Sequence, residues 1–399
     1  MHKKTAAVIC EFNPFHNGHK YLLDSIRSKG IERIVCIMSG CFVQRGEPAL
    51  FAPAERLRAA VKNGADLCVA LPVRYALSAA ESFSYYGVKT AHELGCIDYL
   101  CFGADTGGSS EEEFICRCRR IAEFEKNNID SIKKLMSAGL PYPKALERAV
   151  LNGLGCDCAA ILRDGNNVLT LNYIKALDLL RSPVKPLIIE RKGTMHDSRE
   201  IYGNIASGAC IRELYERGED VSAFLPYKFS ENHANIGYAE KALLYKIRNT
   251  GLSEWEALPD IGEQGLANRF YKYRNAASYN DFLHSVKTKR YPMSRLKRIV
   301  LCLMTGISAE KTDPAYIHVT AIGSRGREVL HEMKSACSLP VSASLARLSA
   351  LSPEAERLCA EEGRAYDLYT LCQKETGQGS LSLRQGVVVG GQQGSKKLI

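Results

Sequence analysis

No stretch of the sequence approaches the roughly 20 consecutive apolar residues that a bilayer-spanning helix needs, so no membrane-spanning helix is expected. The opening Met1-His2-Lys3-Lys4-Thr5 runs straight into a strand-like segment. It has neither the apolar run nor the small-residue cleavage site of a secretory signal, and a cytoplasmic location is expected. C-x-x-C repeats are missing as well. Fifteen cysteines are present, but the close pairs are Cys116-x-Cys118 and Cys156-x-Cys158. Their scatter over strand and helix patterns points to reduced, core-filling thiols more than to disulfides or a zinc cage. Neither a G-x-x-x-x-G-K-[S/T] loop nor a G-x-G-x-x-G fingerprint follows the first strand pattern, which removes the P-loop and dinucleotide readings. No Ser/His/Asp or Cys/His nucleophile arrangement is readable either.

What remains is an ordinary globular composition: 399 residues, 46% hydrophobic and 24% charged, enough for two or three domains with a real core. The net charge of +9, from 53 basic and 44 acidic residues, is modest, so its distribution matters more than its total.

The most informative stretch is Glu11-Phe-Asn-Pro-Phe-His-Asn-Gly-His-Lys-Tyr21. Ala6 to Cys10 before it is short, apolar and β-branched at its centre, which predicts a buried strand. Asn13-Pro14 breaks the pattern, and Tyr21, Leu22, Leu23 and Ile26 then recur on one helical face. Strand, tight turn and helix start point free N–H groups and a positive helix end at an anion. His16 and His19, three apart on that first turn, are placed to stabilise charge on an α-phosphate under attack. Gly18 permits close backbone approach. A surface histidine pair or a metal site is the blander alternative, disfavoured by the strand and helix that flank the motif.

Strand patterns recur at 33–38, 66–72, 98–102 and 186–190, separated by helical ones at 53–61, 77–94 and 165–180, the last with an asparagine expected as its N-cap. Alternation of this kind predicts a parallel, doubly wound α/β sheet, with ligands at the carboxyl ends of the strands. Residues 111–155 read as a charged helical insertion. The α/β domain is expected to span 1–226, a helical region 227–389, and a Gly/Gln/Lys-rich disordered tail 390–399.

Other chemical parts fall at that strand edge. The loop 39–48 carries Gln44, Arg45 and Glu47 and suits a substrate-side lid. Ser207 to Arg212 opens a helix with small residues, so Ser207 and Arg212 can steady a pyrophosphate. Arg191 with Lys192 could hold phosphates or ribose, and Gly103 allows adenosine to approach. Between Arg269 and Arg298 there are nine Lys/Arg against one acidic residue, Asp281, with six aromatics interleaved. Cations for phosphates and rings for unstacked bases are what RNA binders use. The cations singled out are Arg269, Lys272, Arg274, Lys289, Arg290, Arg295, Lys297 and Arg298. A solvated basic face over core tyrosines is the alternative.

His16-Asn-Gly-His19 resembles the HIGH signature of the nucleotidyltransferase superfamily. The longer strings E-F-N-P-F-H-N-G-H, M-S-G-C-F-V-Q-R-G-E-P-A, G-A-D, N-N-V-L and S-G-A-C-I-R resemble, in order, the bacterial tRNA(Met) cytidine acetate ligase family. Phe12, Cys41, Thr170, Gly208 and Cys210 depart from its usual residues. The resemblance implies a HIGH-type Rossmann-like sheet followed by a mostly α-helical region. It implies an ATP-dependent reaction in which acetate becomes acetyl-adenylate and the acetyl group passes to N4 of the wobble cytidine in elongator tRNA(Met). ATP would lie on Ile9, Cys10, Glu11, Phe12, Asn13, Pro14, Phe15, His16, Asn17, Gly18, His19, Lys20, Tyr21 and Leu22, with Gly103, Asn167, Arg191 and Lys192. Mg²⁺ would come with the phosphates, and no protein-held metal is expected. RNA, and neither DNA nor a membrane, is the expected macromolecular partner; the oligomeric state stays open. Two other readings also stay open: a small-molecule adenylyltransferase of the same superfamily, and a non-catalytic nucleotide-sensing RNA-binding protein.

Overall fold

The apolar run at 5–10 forms the strand on which the sheet is centred. In the computed structural model, which describes residues 3–191, 201–262, 265–379 and 386–390, chain order begins with β1 (Thr5–Cys10) and β2 (Arg33–Ser39). A small hairpin of β3 (Phe42–Val43) and β4 (Glu47–Pro48) follows, then β5 (Leu67–Leu71), β6 (Tyr99–Ala104) and β7 (Lys185–Glu190). The order across the sheet is β5-β2-β1-β6-β7, every pair parallel. The helices between the strands are crossovers on both faces. Alternate side chains divide accordingly. Ala7, Val35, Ile37, Leu67 and Val69 pack with Val88, Ala91 and Ile174 on one face. On the other, Val8, Ile34, Cys36, Met38 and Cys68 pack with Leu23, Ile26 and Leu57. With both faces covered, the runs are almost continuously buried, as parallel sheets require. The expected doubly wound sheet is therefore observed.

The 111–155 stretch is helical as expected, with helices Glu111–Asn127, Ile129–Ser137 and Tyr142–Leu154. Phe114, Cys118, Ile121 and Val150 join the core on the Ala7 face of the sheet. The helix expected over 77–94 is shorter. A separate turn, Val73–Ala76, precedes the helix Ala80–Glu93.

The C-terminal half is mostly helical, with helices Glu240–Asn249, Leu266–Tyr273, Tyr279–Val286 and Met293–Thr305. They enclose Trp255, which stacks on Phe270 at 4.6 Å. The chain does not stay helical to 389, however. β8 (Ile317–Ile322) returns to the sheet antiparallel to β5, β9 (Val341–Ser342) pairs with β8, and β10 (Val388–Val389) extends the far edge beside β8. The expected division at 226/227 thus does not separate sheet from helices. Residues 317–322 show strict alternation of buried and half-buried side chains, the period of a strand covered on one face. Asp66 anchors the end of β8: its carbonyl accepts from Gly323 N–H at 2.7 Å and its carboxylate accepts from Ile34 N–H at 2.8 Å. A Cβ at position 323 would stand 2.2 Å from the Ala65 carbonyl oxygen, so only glycine fits. Gly390, the first residue of the expected tail, lies in a turn after β10, and 391–399 are outside the described residues.

None of the fifteen cysteines is in a disulfide, and all but Cys116, Cys156 and Cys337 are buried, which agrees with thiols used as small apolar fillers.

Candidate active site

From the end of β1 the chain turns through 11–15 into the helix Asn17–Ser28. Phe12 takes a left-handed φ of 45°, costly for a bulky residue unless its surroundings hold it there. Its ring is wedged edge-on against Phe15 at 4.8 Å and His19 at 4.9 Å. His16 caps the helix: its Nδ1 accepts the Gly18 N–H at 3.1 Å, while His19 Nδ1 accepts the His16 N–H at 3.2 Å. The two rings stack with centroids 3.8 Å apart. A ring nitrogen that accepts carries no hydrogen, so in each neutral imidazole the proton sits on Nε2. The pair is thereby set as two Nε2–H donors. A Cβ on Gly18 would lie 2.9 Å from the His16 ring, so this glycine makes room for the imidazole itself.

Above this turn lies a cavity of about 620 Å³. Of the residues expected to hold nucleotide or phosphate, Ile9, Cys10, Glu11, Phe12, Asn13, His16, Gly18, His19, Tyr21, Leu22, Gly103, Arg191, Ser207 and Arg212 line it. Others of that group act elsewhere. Phe15 is buried in the core, Asn17 Nδ2 donates to the Asn204 and Ala223 carbonyls, and Lys20 pairs with Asp24. Pro14 is not among the lining residues, and Lys192 lies outside the described residues.

Asn167 is also displaced from its expected place. Its amide brackets the backbone of Asp105, accepting from the N–H at 3.0 Å and donating to the carbonyl at 2.9 Å. It shapes the loop after β6, and its neighbour Asn166 lines the cavity instead. The N-cap of the helix Gly165–Leu179 is Asp164, not an asparagine; its Oδ1 accepts from Asn166 and Asn167 N–H at 2.8 and 2.9 Å. Beside it, burial draws the Arg191 guanidinium below its usual pKa, opposed by Asp164 and Asp105.

On the other wall, Ser207 caps the helix Gly208–Glu216, its hydroxyl accepting the Cys210 N–H at 3.1 Å. Arg212 Nη1 donates to the Asn13 carbonyl at 2.6 Å, and burial lowers its pKa while Glu47 opposes that. This helix N-terminus therefore faces the histidine turn across the cavity, one arginine tying the two together. Two helix N-termini and the two imidazoles line one space, the electrostatics that a polyphosphate requires.

The 39–48 loop is not free to swing as a simple lid. Gln44 N–H donates to Glu11 Oε1 at 2.6 Å, Gln44 Nε2 to the Ser78 carbonyl at 3.2 Å, and Lys297 pairs with Glu47 at 2.6 Å. Burial would raise the Glu47 carboxyl, but Lys297, Arg212 and Arg45 together hold it below the usual carboxylate range.

The organising residue that sequence reasoning missed is Arg56. It is fully buried, and its guanidinium donates to the carbonyls of Phe51 at 3.1 Å, Ser39 at 3.2 Å, and Glu11 and Gly40. One cation thus fixes the ends of β1 and β2. A signal was present: position 56 falls on the same helical face as Pro53, Leu57 and Ala60, all buried.

The basic segment 269–298 divides in two. Arg298 is 6% exposed and pairs with Asp260 at 3.0 Å, while also donating to the Gln44 carbonyl at 3.2 Å. With Lys297 it ties the helix Met293–Thr305 to the 39–48 loop, so neither is the open surface cation expected. Arg269 donates to the carbonyls of Ser285 and Val286, closing the end of the neighbouring helix, and Arg295 lies against Asp260 and the Tyr291 ring. Phe270, Phe282 and Tyr279 belong to the core around Trp255, so for them the core reading replaces the base-stacking one. Lys272, Lys289 and Arg290 are exposed, and Arg274 lies over the Tyr271 ring at 3.8 Å.

A HIGH Nucleotidyl Transferase family model matches residues 3–382. A tRNA(Met) cytidine acetate ligase from Acetivibrio thermocellus is 30% identical over 398 residues, covering 93% of this chain and 95% of the relative. One from Caldanaerobacter subterraneus subsp. tengcongensis is 32% identical over 386 residues, covering 92% and 95%. The crystal structure of Thermotoga maritima TmcAL in its apo form superposes with a TM-score of 0.86 at 23% identity, over 97% of this chain and 99% of that one. A second crystal structure of that protein, bound with alpha-thio ATP, gives 0.84 at 24% identity, over 97% and 100%.

Proposed function

The chain belongs to the HIGH nucleotidyl transferase family and groups within it with the tRNA(Met) cytidine acetate ligases, and on that premise we propose that it is the ATP-dependent ligase that acetylates tRNA(Met). Acetate attacks the α-phosphate of ATP, giving acetyl-adenylate and pyrophosphate. The acetyl group then moves to N4 of the wobble cytidine of the elongator tRNA, forming N4-acetylcytidine. The observation that carries this reading is the stacked His16–His19 pair, its Nε2–H donors fixed by two backbone hydrogen bonds at the mouth of the cavity. Such donors are worth most where charge develops on an α-phosphate in a site shielded from water. Positioning supplies the rest, since reacting groups held together gain the advantage of an intramolecular reaction.

In this assignment adenosine takes the Gly103–Arg191–Asn166 end and pyrophosphate the Ser207–Arg212 end. Magnesium would enter with the triphosphate, with phosphate oxygens and water as its ligands. Lys272, Arg274, Lys289 and Arg290 would be the cations for the tRNA backbone, and the cytoplasm would be the compartment of the reaction. Among the described residues no helix is long and apolar enough to cross a membrane.

The test is exchange of labelled pyrophosphate into ATP. It should depend on acetate, and His16→Ala should abolish it while the protein stays folded, at a cap cost of about 0.5–2 kcal/mol. Mass spectrometry of tRNA incubated with ATP and labelled acetate should then show acetylation at one cytidine. Exchange without any acetate requirement would refute the assignment.

A further inference from the structure

The proposed second half-reaction makes a demand that nucleotide binding does not. The lone pair of a cytosine N4 is delocalised into its ring, so that nitrogen attacks a carbonyl effectively only if a base removes its proton as the new bond forms. The cavity offers few groups able to do so. His16 and His19 use Nδ1 to accept backbone N–H groups and carry their proton on Nε2, which makes them donors. Both oxygens of Glu190 accept from Thr106. Asp164 caps its helix beside Arg191, at the nucleoside end.

Glu11 differs from all of these. It lines the cavity where β1 ends, next to the histidine turn. Its backbone is fixed by the Arg56 hydrogen bond to its carbonyl, and its Oε1 is held by Gln44 N–H at 2.6 Å. Oε2 makes no hydrogen bond to any described residue. We propose, resting on the ligase reading above, that Glu11 is the proton acceptor of the acyl-transfer step. As N4 bonds to the acetyl carbon, the carbon–oxygen bond to the AMP phosphate breaks with its electron pair passing to that oxygen. The proton leaves N4 for Glu11 Oε2, and the neutral acid returns it to water before the next turnover.

The surroundings suit this task. Burial lifts the Glu11 carboxyl above the ordinary range, while Gln44 N–H and the cations Arg56, Arg212 and Arg45 draw it back down. The remaining titratable neighbours, Tyr173 and Cys10, are themselves held in their neutral forms by burial. A carboxylate with a raised pKa, one oxygen held and the other without a hydrogen bond among the described residues, is a stronger base than an ordinary exposed one.

Glu11→Gln keeps the shape and the acceptor for Gln44 N–H. Two rates are compared in this variant and the wild type: acetate-dependent ATP–pyrophosphate exchange, and single-turnover transfer from synthetic acetyl-adenylate to tRNA. The ratio of transfer to exchange should fall about 100-fold or more, within the range for a lost general base. Wild-type transfer should rise with pH through one ionisation that the variant lacks. Glu11→Asp, which keeps a carboxylate, should retain that ionisation and part of the transfer. Equal losses in both rates, or an unchanged pH profile, overturn the proposal while leaving the ligase reading intact. A wild-type protein without acetate-dependent exchange overturns both.

Discussion

Arg56→Met asks whether a single buried cation holds the reaction cradle together. The guanidinium is fully buried and donates to four carbonyls, on Glu11, Ser39, Gly40 and Phe51. Burial lowers its pKa, yet an arginine stays charged at any physiological pH. Methionine fills much of the volume but donates nothing. Each carbonyl left without a partner costs about 1–3 kcal/mol. Against this, the variant recovers the cost of desolvating the guanidinium, so the four losses do not sum in full. The net expectation is about 3–5 kcal/mol, in line with breaking a buried charged network and a large fraction of the ~5–15 kcal/mol that holds a typical domain folded. Arg56→Lys keeps the charge but has three donors on a point ammonium and no planar fork, so it should recover only part of the loss. Urea unfolding followed by circular dichroism measures the stability, and calorimetric titration with ATP measures the site. ATP affinity should fall with stability, because Arg56 grips the carbonyl of Glu11 at the root of the histidine turn. A Met variant within about 1 kcal/mol of wild type, or one that binds ATP as tightly, would refute the reasoning.

Glu362→Gln should alter the pH dependence of stability. Burial pushes the Glu362 carboxyl up from 4.5 to about 7, so the folded state binds a proton that the unfolded state has released, and wild-type stability should decline as pH rises from about 4.5 to 7. The Gln variant should therefore gain on wild type by up to ~3 kcal/mol at pH 8 and by little at pH 5; a pH-independent difference in urea midpoints would contradict this. Gly103→Ala places a Cβ 3.3 Å from Arg191 Cγ and should weaken ATP several-fold in a calorimetric titration while leaving thermal stability nearly unchanged. Reversing Lys272, Lys289 and Arg290 to glutamate should weaken tRNA binding and flatten its log–log salt slope by roughly 2–3, whereas Arg298→Met should lower stability by about 1–3 kcal/mol through the Gln44 carbonyl it leaves without a partner, Arg295 remaining beside Asp260, and leave that slope unchanged.

The parts legible in sequence are those whose cause is local. A β-branched run, a proline break and a helical apolar face lie within twenty residues of one another, and they define the cradle and its neighbours in the sheet. Asp164 as cap, in place of the expected asparagine, is a miss of two or three positions onto a residue type that caps equally well. Elsewhere the outcome depended on partners remote in sequence. The bracket that Asn167 forms around Asp105 needs a loop 62 residues away. Lys297 and Arg298 look like their exposed neighbours until Glu47 and Asp260 are brought beside them. The aromatics of 269–298 divide between core and surface according to which side meets Trp255, a fact that composition does not carry. Arg56 broke the rule that charges avoid the buried face, and such exceptions are where function is concentrated.

The return of β8 to β5 has a consequence for how the molecule is made. Thr320 reaches the Cys68 carbonyl across 252 residues of chain, so while the polypeptide emerges from the ribosome the flank of β5 stands open until much of the helical half has been synthesised. An unpaired, apolar strand edge invites association with other chains. Nascent copies shorter than about 320 residues should for that reason engage chaperones, and truncating the gene to isolate its ATP-binding portion should yield inclusion bodies in place of a smaller working enzyme.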